Sequence, residues 1–147
     1  MFTIKKILVK VLSLFAFVFL LFQLASCMGS YSSSSLKSGL EKAGYTVEEN
    51  PVIVNLATSK MDGYKSSLYG YKTVDGEEHG ILILIFDSTD NANKVGSTET
   101  GVASETMTLL HNWGRKHAPE TDTSVYGVAN NIIWAGSSQA KSAAGIF

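Results

Sequence analysis

Three hydrophobic patterns divide the chain. Val11 to Phe22 is an almost unbroken apolar run. Ile81 to Phe86, ILILIF, is a short run with no polar alternation. Elsewhere apolar positions recur at helical or strand spacing. A strand apolar on both faces is ordinarily central in its sheet and covered on both sides, which places Ile81–Phe86 in the middle of the core. Tyr64 to Thr73, rich in Tyr, Ser and Thr, precedes it, and Val74-Asp75-Gly76-Glu77 between them is a turn signal. Together they predict an antiparallel hairpin.

The remaining elements follow from period and punctuation. Leu36, Leu40 and Ala43 lie on one helical face, with Ser34 or Ser35 as cap and Gly44 suited to the left-handed residue past the end, so a helix is predicted over 35–43. Tyr45 to Glu49 alternates as a short strand, broken by Asn50-Pro51. Val52 to Met61 suits a strand or a helical turn and is left irregular. Asp87-Ser88-Thr89-Asp90 offers caps for a helical piece over 89–95. The segment GSTET from Gly96 reads as a kink or a loop. Val102, Met107, Leu110 and Trp113 predict a helix over 102–113, with Arg115, Lys116 and His117 complementing its dipole and Pro119 preventing continuation. Ser124–Val128 and Ile132–Gly136 flank Ala129-Asn130-Asn131 as a second hairpin, since Asn tolerates positive φ. Ser137 or Ser138 caps a last helix over 138–144, and Ile146 and Phe147 are expected to fold back on the core. The fold class is α+β: an antiparallel sheet of four or five strands with two hairpins, and helices mainly on one face.

The N-terminal run has its own logic. Lys5, Lys6 and Lys10 precede the apolar stretch, no acidic residue occurs before Cys27, and small residues follow at Ala25 and Ser26. This is the layout of a secretory signal. The single cysteine of the chain stands where cleavage belongs. Leu24, Ala25, Ser26 and Cys27 resemble the lipobox of bacterial lipoproteins, position by position. The resemblance implies a diacylglycerol on the Cys27 thiol, acyl chains such as palmitate in the membrane, removal of residues 1–26, and Cys27 as the first mature residue. The competing reading, an uncleaved helical anchor, needs about 20 apolar residues and reaches that length only by counting Lys10 and Gln23. Two or three acyl chains hold a protein where one binds marginally, so lipid is the preferred anchor. Residues 27–35, with MGSYSSSS behind the cysteine, read as a Gly/Ser tether reaching roughly 15 Å. Residues 36–147 then form a single small α+β domain, too short for a two-lobed solute-binding clamshell.

Charge narrows the partners. Without the three signal lysines, the twelve basic residues fall to nine against thirteen acidic ones, a net charge of −4. That disfavours nucleic acid, which calls for clustered Lys and Arg. With Cys27 lipidated no thiol remains for a disulfide or a cysteine-ligated zinc.

Candidate chemistry is sparse. His111 and His117 are six apart, 240° round a helix, so their rings diverge and both are expected as solvated helix-end residues; His79 lies beside a predicted turn. Asp87 and Asp90 lack a calcium-loop spacing and are accounted for as caps. Asp75, Glu77 and Glu78 read as a solvated hairpin tip. Ser138-Gln139-Ala140-Lys141 is the one S-x-x-K match, without its usual companions. No phosphate-cradling glycine loop occurs. The chain is therefore expected to carry no catalytic, cofactor or metal site. Tyr69 and Tyr71 share a strand face, opposite Tyr64 and near Lys65 and Lys72, and form a candidate shallow surface for a peptide, protein or glycan.

The expected function is a lipid-anchored lipoprotein on the extracytoplasmic face of a cell membrane, acting as a binding or interaction module without catalysis of its own. The alternatives are a small cell-envelope hydrolase drawing on His111, His117 and Asp87, or an accessory subunit of a membrane complex.

Overall fold

The computed structural model describes residues 29–51, 61–97 and 102–147. Cys27 with its lipobox, the segment 52–60 and the link 98–101 lie outside the described residues. Residues Tyr31–Phe147 form one compact unit. Its elements are α1 (Ser33–Lys42), β1 (Thr46–Glu49), β2 (Tyr64–Val74), β3 (Glu77–Phe86), α2 (Thr89–Gly96), α3 (Val102–Lys116), β4 (Tyr126–Ala129), β5 (Ile132–Gly136) and α4 (Ser138–Ala143). The five strands make one antiparallel sheet in the order β1-β2-β3-β5-β4, an α+β architecture built on two hairpins.

β3 occupies the centre, and every residue from His79 to Phe86 is buried. Its alternate side chains feed two separate cores. Ile81, Ile83 and Ile85 pack with Leu68, Ile132 and Trp134 beneath Leu36 and Leu40 of α1 and Ala140 of α4. Leu82, Leu84 and Phe86 pack with Ile133 and Ala135 beneath Ala92 and Val95 of α2 and Leu110 of α3. The helices therefore stand two on each face, rather than mainly on one. The physical reason is in β3 itself: a strand apolar on both sides exposes a second apolar face unless helices cover it too.

Local signals set the ends of the elements. The β2–β3 turn is Asp75-Gly76, both at positive φ (51° and 82°). α1 starts two residues earlier than expected because Ser32, not Ser34 or Ser35, accepts the Ser35 N–H on its hydroxyl at 3.2 Å. Gly44 follows the helix at φ 88°, the left-handed value that a glycine adopts without strain. Ser88 and Ser137 cap α2 and α4 in the same way.

Tyr31 to Ser35, expected in the tether, belong to the folded unit, and the first residue of that stretch is tied to the sheet. Asn131 holds Tyr31: Oδ1 accepts from the Tyr31 N–H at 2.6 Å, while Nδ2 donates to the Tyr31 carbonyl at 2.9 Å and to that of Phe86 at 3.2 Å. Only Asn130 of the second turn takes positive φ (48°), so its neighbour is retained for side-chain bonding rather than for turn geometry. At the other end, Ile146 is buried as expected, whereas Phe147 is 87% exposed. No helix among the described residues is long and apolar enough to cross a membrane.

Candidate functional site: an aromatic and acidic shelf

The face bearing α2 and α3 is covered unevenly. α3 packs against β3, β4 and β5 and ends beside β3, where the Gly80 N–H donates to the His117 carbonyl at 2.8 Å. Beyond that point the outer strands carry Thr46 and Glu48 of β1 and Tyr71 and Thr73 of β2, all exposed. Tyr69 lies at the border, facing Glu48 on one neighbour and Leu82 on the other.

A cluster forms along this border. Tyr69 and Tyr71 stack with centroids 5.1 Å apart, and Tyr71 remains 40% exposed. Trp113 and Tyr69 meet edge-on at 5.3 Å, and the His117 ring stacks on Trp113 at 4.1 Å, Trp113 lying in the last turn of α3 and His117 just past its end. Glu78 closes the group: its Oε1 accepts from His117 Nδ1 at 2.8 Å and from the Tyr69 hydroxyl at 3.3 Å. Burial, followed by the charge and hydrogen bond of Glu78, pushes the Tyr69 phenol up to about 12, with Tyr71 and Glu48 adding to the rise. Tyr69 is thus a fixed, neutral hydrogen-bond donor across the physiological range, and Tyr71 is the ring offered to solvent.

Several sequence expectations change here. Tyr64 does not oppose Tyr69, because both pack on the same core. A β-bulge at Tyr64–Ser66 leaves Lys65 out of the register, and one extra residue reverses the parity of the strand before it. Lys72 does not approach Tyr69 and Tyr71. It extends over the opposite face, its ammonium donating to the Ala43 carbonyl at 2.8 Å and lying 5.6 Å from the centre of the Tyr45 ring. Glu78 is exposed at the hairpin tip as expected but is also bonded to Tyr69 and His117, and His117 is largely covered rather than a solvated helix end. Trp113 is only partly buried, in the shelf, whereas Trp134 is buried in the core. The i, i+4 pairing of Trp113 with His117 was readable in the sequence; their meeting with Tyr69 was not, since it depends on where α3 ends on the sheet.

The other candidates are dispersed. His111 is exposed and meets the ring of Tyr126 edge-on at 5.1 Å. Asp87 accepts from Asn91 Nδ2 at 2.7 Å and follows the far end of β3. Gly80, beside His117, and Asp87 are seven strand positions apart, roughly 23 Å at ~3.3 Å per residue. His117 and Asp87 therefore cannot share a reacting atom, and the proposed hydrolase grouping is not assembled. His79 is buried in β3, its Nδ1 2.9 Å from Ser137 Oγ, which also accepts the Ala140 N–H at 3.1 Å. Both atoms of that pair are engaged inside the fold. In the S-x-x-K segment, the Ser138 hydroxyl donates to Asp122 at 2.9 Å and Lys141 lies 5.1 Å from the centre of the Trp134 ring. Among the described residues no group of three or more His, Cys, Asp or Glu could hold a metal ion.

Comparison with protein-family models, curated proteins and solved structures finds no match for this chain.

Proposed function

We propose that the chain is a lipid-anchored binding module of the extracytoplasmic membrane face, with the Tyr69–Tyr71–Trp113–His117–Glu78 shelf as its ligand surface. The binding half rests on one observation. Tyr71 presents an open ring on a sheet face that α3 leaves uncovered, and that ring is backed by Tyr69, whose own position Trp113 and Glu78 fix. Pre-positioned aromatics of this kind bind without a further ordering cost. The anchor half rests on Leu24-Ala25-Ser26-Cys27 and the basic and apolar segments before it. The polar groups of the shelf are spent on one another, Glu78 on His117 and Tyr69, so the reading is one of recognition rather than turnover.

Two measurements test the two halves separately. Expressed in a bacterial host with labelled palmitate, the full chain should carry label and sediment with membranes, and Cys27→Ser should lose the label. Retention of equal label by the variant would remove the anchor. For the shelf, the full chain in neutral polyoxyethylene detergent should show ligand-induced shifts at Tyr71 and the Trp113 indole within a panel of short peptides and neutral oligosaccharides. Tyr71→Ala should weaken the binding read at the Trp113 indole, with the fold intact. A panel that leaves these signals unmoved would remove the shelf as the ligand surface.

A further inference from the structure

The shelf has a charge as well as a shape, and it adjoins the strand that is outermost among the described residues. Glu48 and Glu78 flank Tyr69 on the same sheet face. Among the described residues, no ion pair joins a lysine or arginine to either of them. Lys37, which reaches β1 at Glu49, and Lys72 of β2 are committed elsewhere. Lys37 pairs with Glu41 at 3.9 Å and Glu49 at 3.6 Å, and Lys72 is turned to the other face.

β1 is the outermost strand of the sheet, and among the described residues it pairs with β2 alone. Such an edge presents unpaired backbone donors and acceptors to any extended chain laid beside it. A strand added there would continue the rows of the sheet. Its residue opposite Glu48 would stand in the row of Glu48, Tyr69 and Leu82, and its residue opposite Thr46 in the row of Thr46, Tyr71 and Gly80. Directly opposed side chains in antiparallel strands are within contact distance. The partner side chains best matched to a carboxylate and an open tyrosine ring are ammonium and guanidinium groups, which pair with the first and sit over the second.

Resting on the shelf reading above, we infer that the occupant is a basic peptide segment, laid in extended form along β1 with a Lys or Arg set against Glu48 and Tyr71. A neutral glycan would use the rings but offer Glu48 no opposite charge and would have no use for the strand edge.

The test uses the full chain in neutral polyoxyethylene detergent with three probes: an alternating Lys–Thr octapeptide, its Glu–Thr counterpart, and chitotriose. The Lys–Thr peptide should shift Tyr71, the Trp113 indole and the β1 amides, and slow exchange of those amides. Raising ionic strength from about 0.01 M to about 0.1 M shortens the Debye length from about 30 Å to about 10 Å and should weaken it several-fold. Glu48→Gln, whose carboxylate holds no hydrogen bond in the fold, should weaken it about threefold to fivefold, and Tyr71→Ala by a similar factor. Chitotriose shifting the shelf while the Lys–Thr peptide does not would overturn the basic-peptide inference and leave the shelf standing. Equal binding of the Glu–Thr peptide, or Lys–Thr binding undiminished by Glu48→Gln, would overturn it as well. Silence of the shelf toward all three probes would remove both readings.

Discussion

His117 and Glu78, 39 positions apart in the chain, are joined by a 2.8 Å contact from Nδ1 to Oε1. That contact fastens the end of α3 to the β2–β3 hairpin, and the same carboxylate oxygen receives the Tyr69 hydroxyl at 3.3 Å. One side chain from a hairpin tip therefore fixes both the ring that backs Tyr71 and the histidine stacked on Trp113. Glu78→Gln should lower the Tyr69 pKa from about 12 without returning it to the ordinary 10.0, because burial is the larger cause and persists. Partly exposed pairs contribute little, so global stability should fall by no more than about 1 kcal/mol. Tyrosinate absorbance and urea unfolding measure the two effects, and an unmoved Tyr69 titration would show that Glu78 does not set it.

Alkaline stability follows from two phenols. Burial raises the Tyr45 pKa, and Tyr69 is raised to about 12. In each case the folded chain keeps the proton to higher pH than the unfolded chain, whose value is 10.0. The stabilisation is therefore fully present below about pH 10 and is lost as pH rises towards about 12. Urea midpoints measured across that interval should decline, and Tyr69→Phe should decline less steeply. A midpoint that stays flat over the interval would contradict the assignment.

Asn131 is the residue that binds the start of the folded unit to the sheet. Replacing it with Ala removes three hydrogen bonds and leaves the buried Phe86 carbonyl with one donor fewer. The expected loss is about 1–3 kcal/mol. Hydrogen exchange at Tyr31 and through the first turn of α1 should accelerate more than exchange in β3. Uniform acceleration would indicate a general loss of packing instead of release of this clamp.

Gly136 has no tolerated substitute. It adopts φ 145°, and a β-carbon there would collide with the Gly80 carbonyl oxygen and lie 2.7 Å from the Ile81 Cα. Both obstacles are backbone of the central strand, which cannot yield without separating β5 from β3. Gly136→Ala should destabilise by at least about 3 kcal/mol, combining unfavourable backbone with overpacking. A urea midpoint within experimental error of the parent would refute this account.

The strands, hairpins and helices of the folded unit were legible because each carries a local signal. Asp75-Gly76 and Asn130-Asn131 punctuate the hairpins, serines cap the helices, and Ile81–Phe86 declares itself central by lacking a polar face. The doubly apolar run even required cover on both sides, although its consequence for helix placement emerges only from the two cores on the sheet. Tyr69 and Tyr71 were identifiable as a same-face pair from the period of two alone. What the sequence could not determine was decided by non-local geometry. The bulge at Lys65 inverts the face of Tyr64, the reach of Lys72 takes its charge to the opposite side, and the length of α3 brings Trp113 and His117 to Tyr69 and Glu78. Such contacts depend on strand order and on where a helix ends on a sheet, and neither is written in the periodicity of any one segment. The proposed membrane address stands the other way round: it rests wholly on a linear motif ending at Cys27, which is read without any fold.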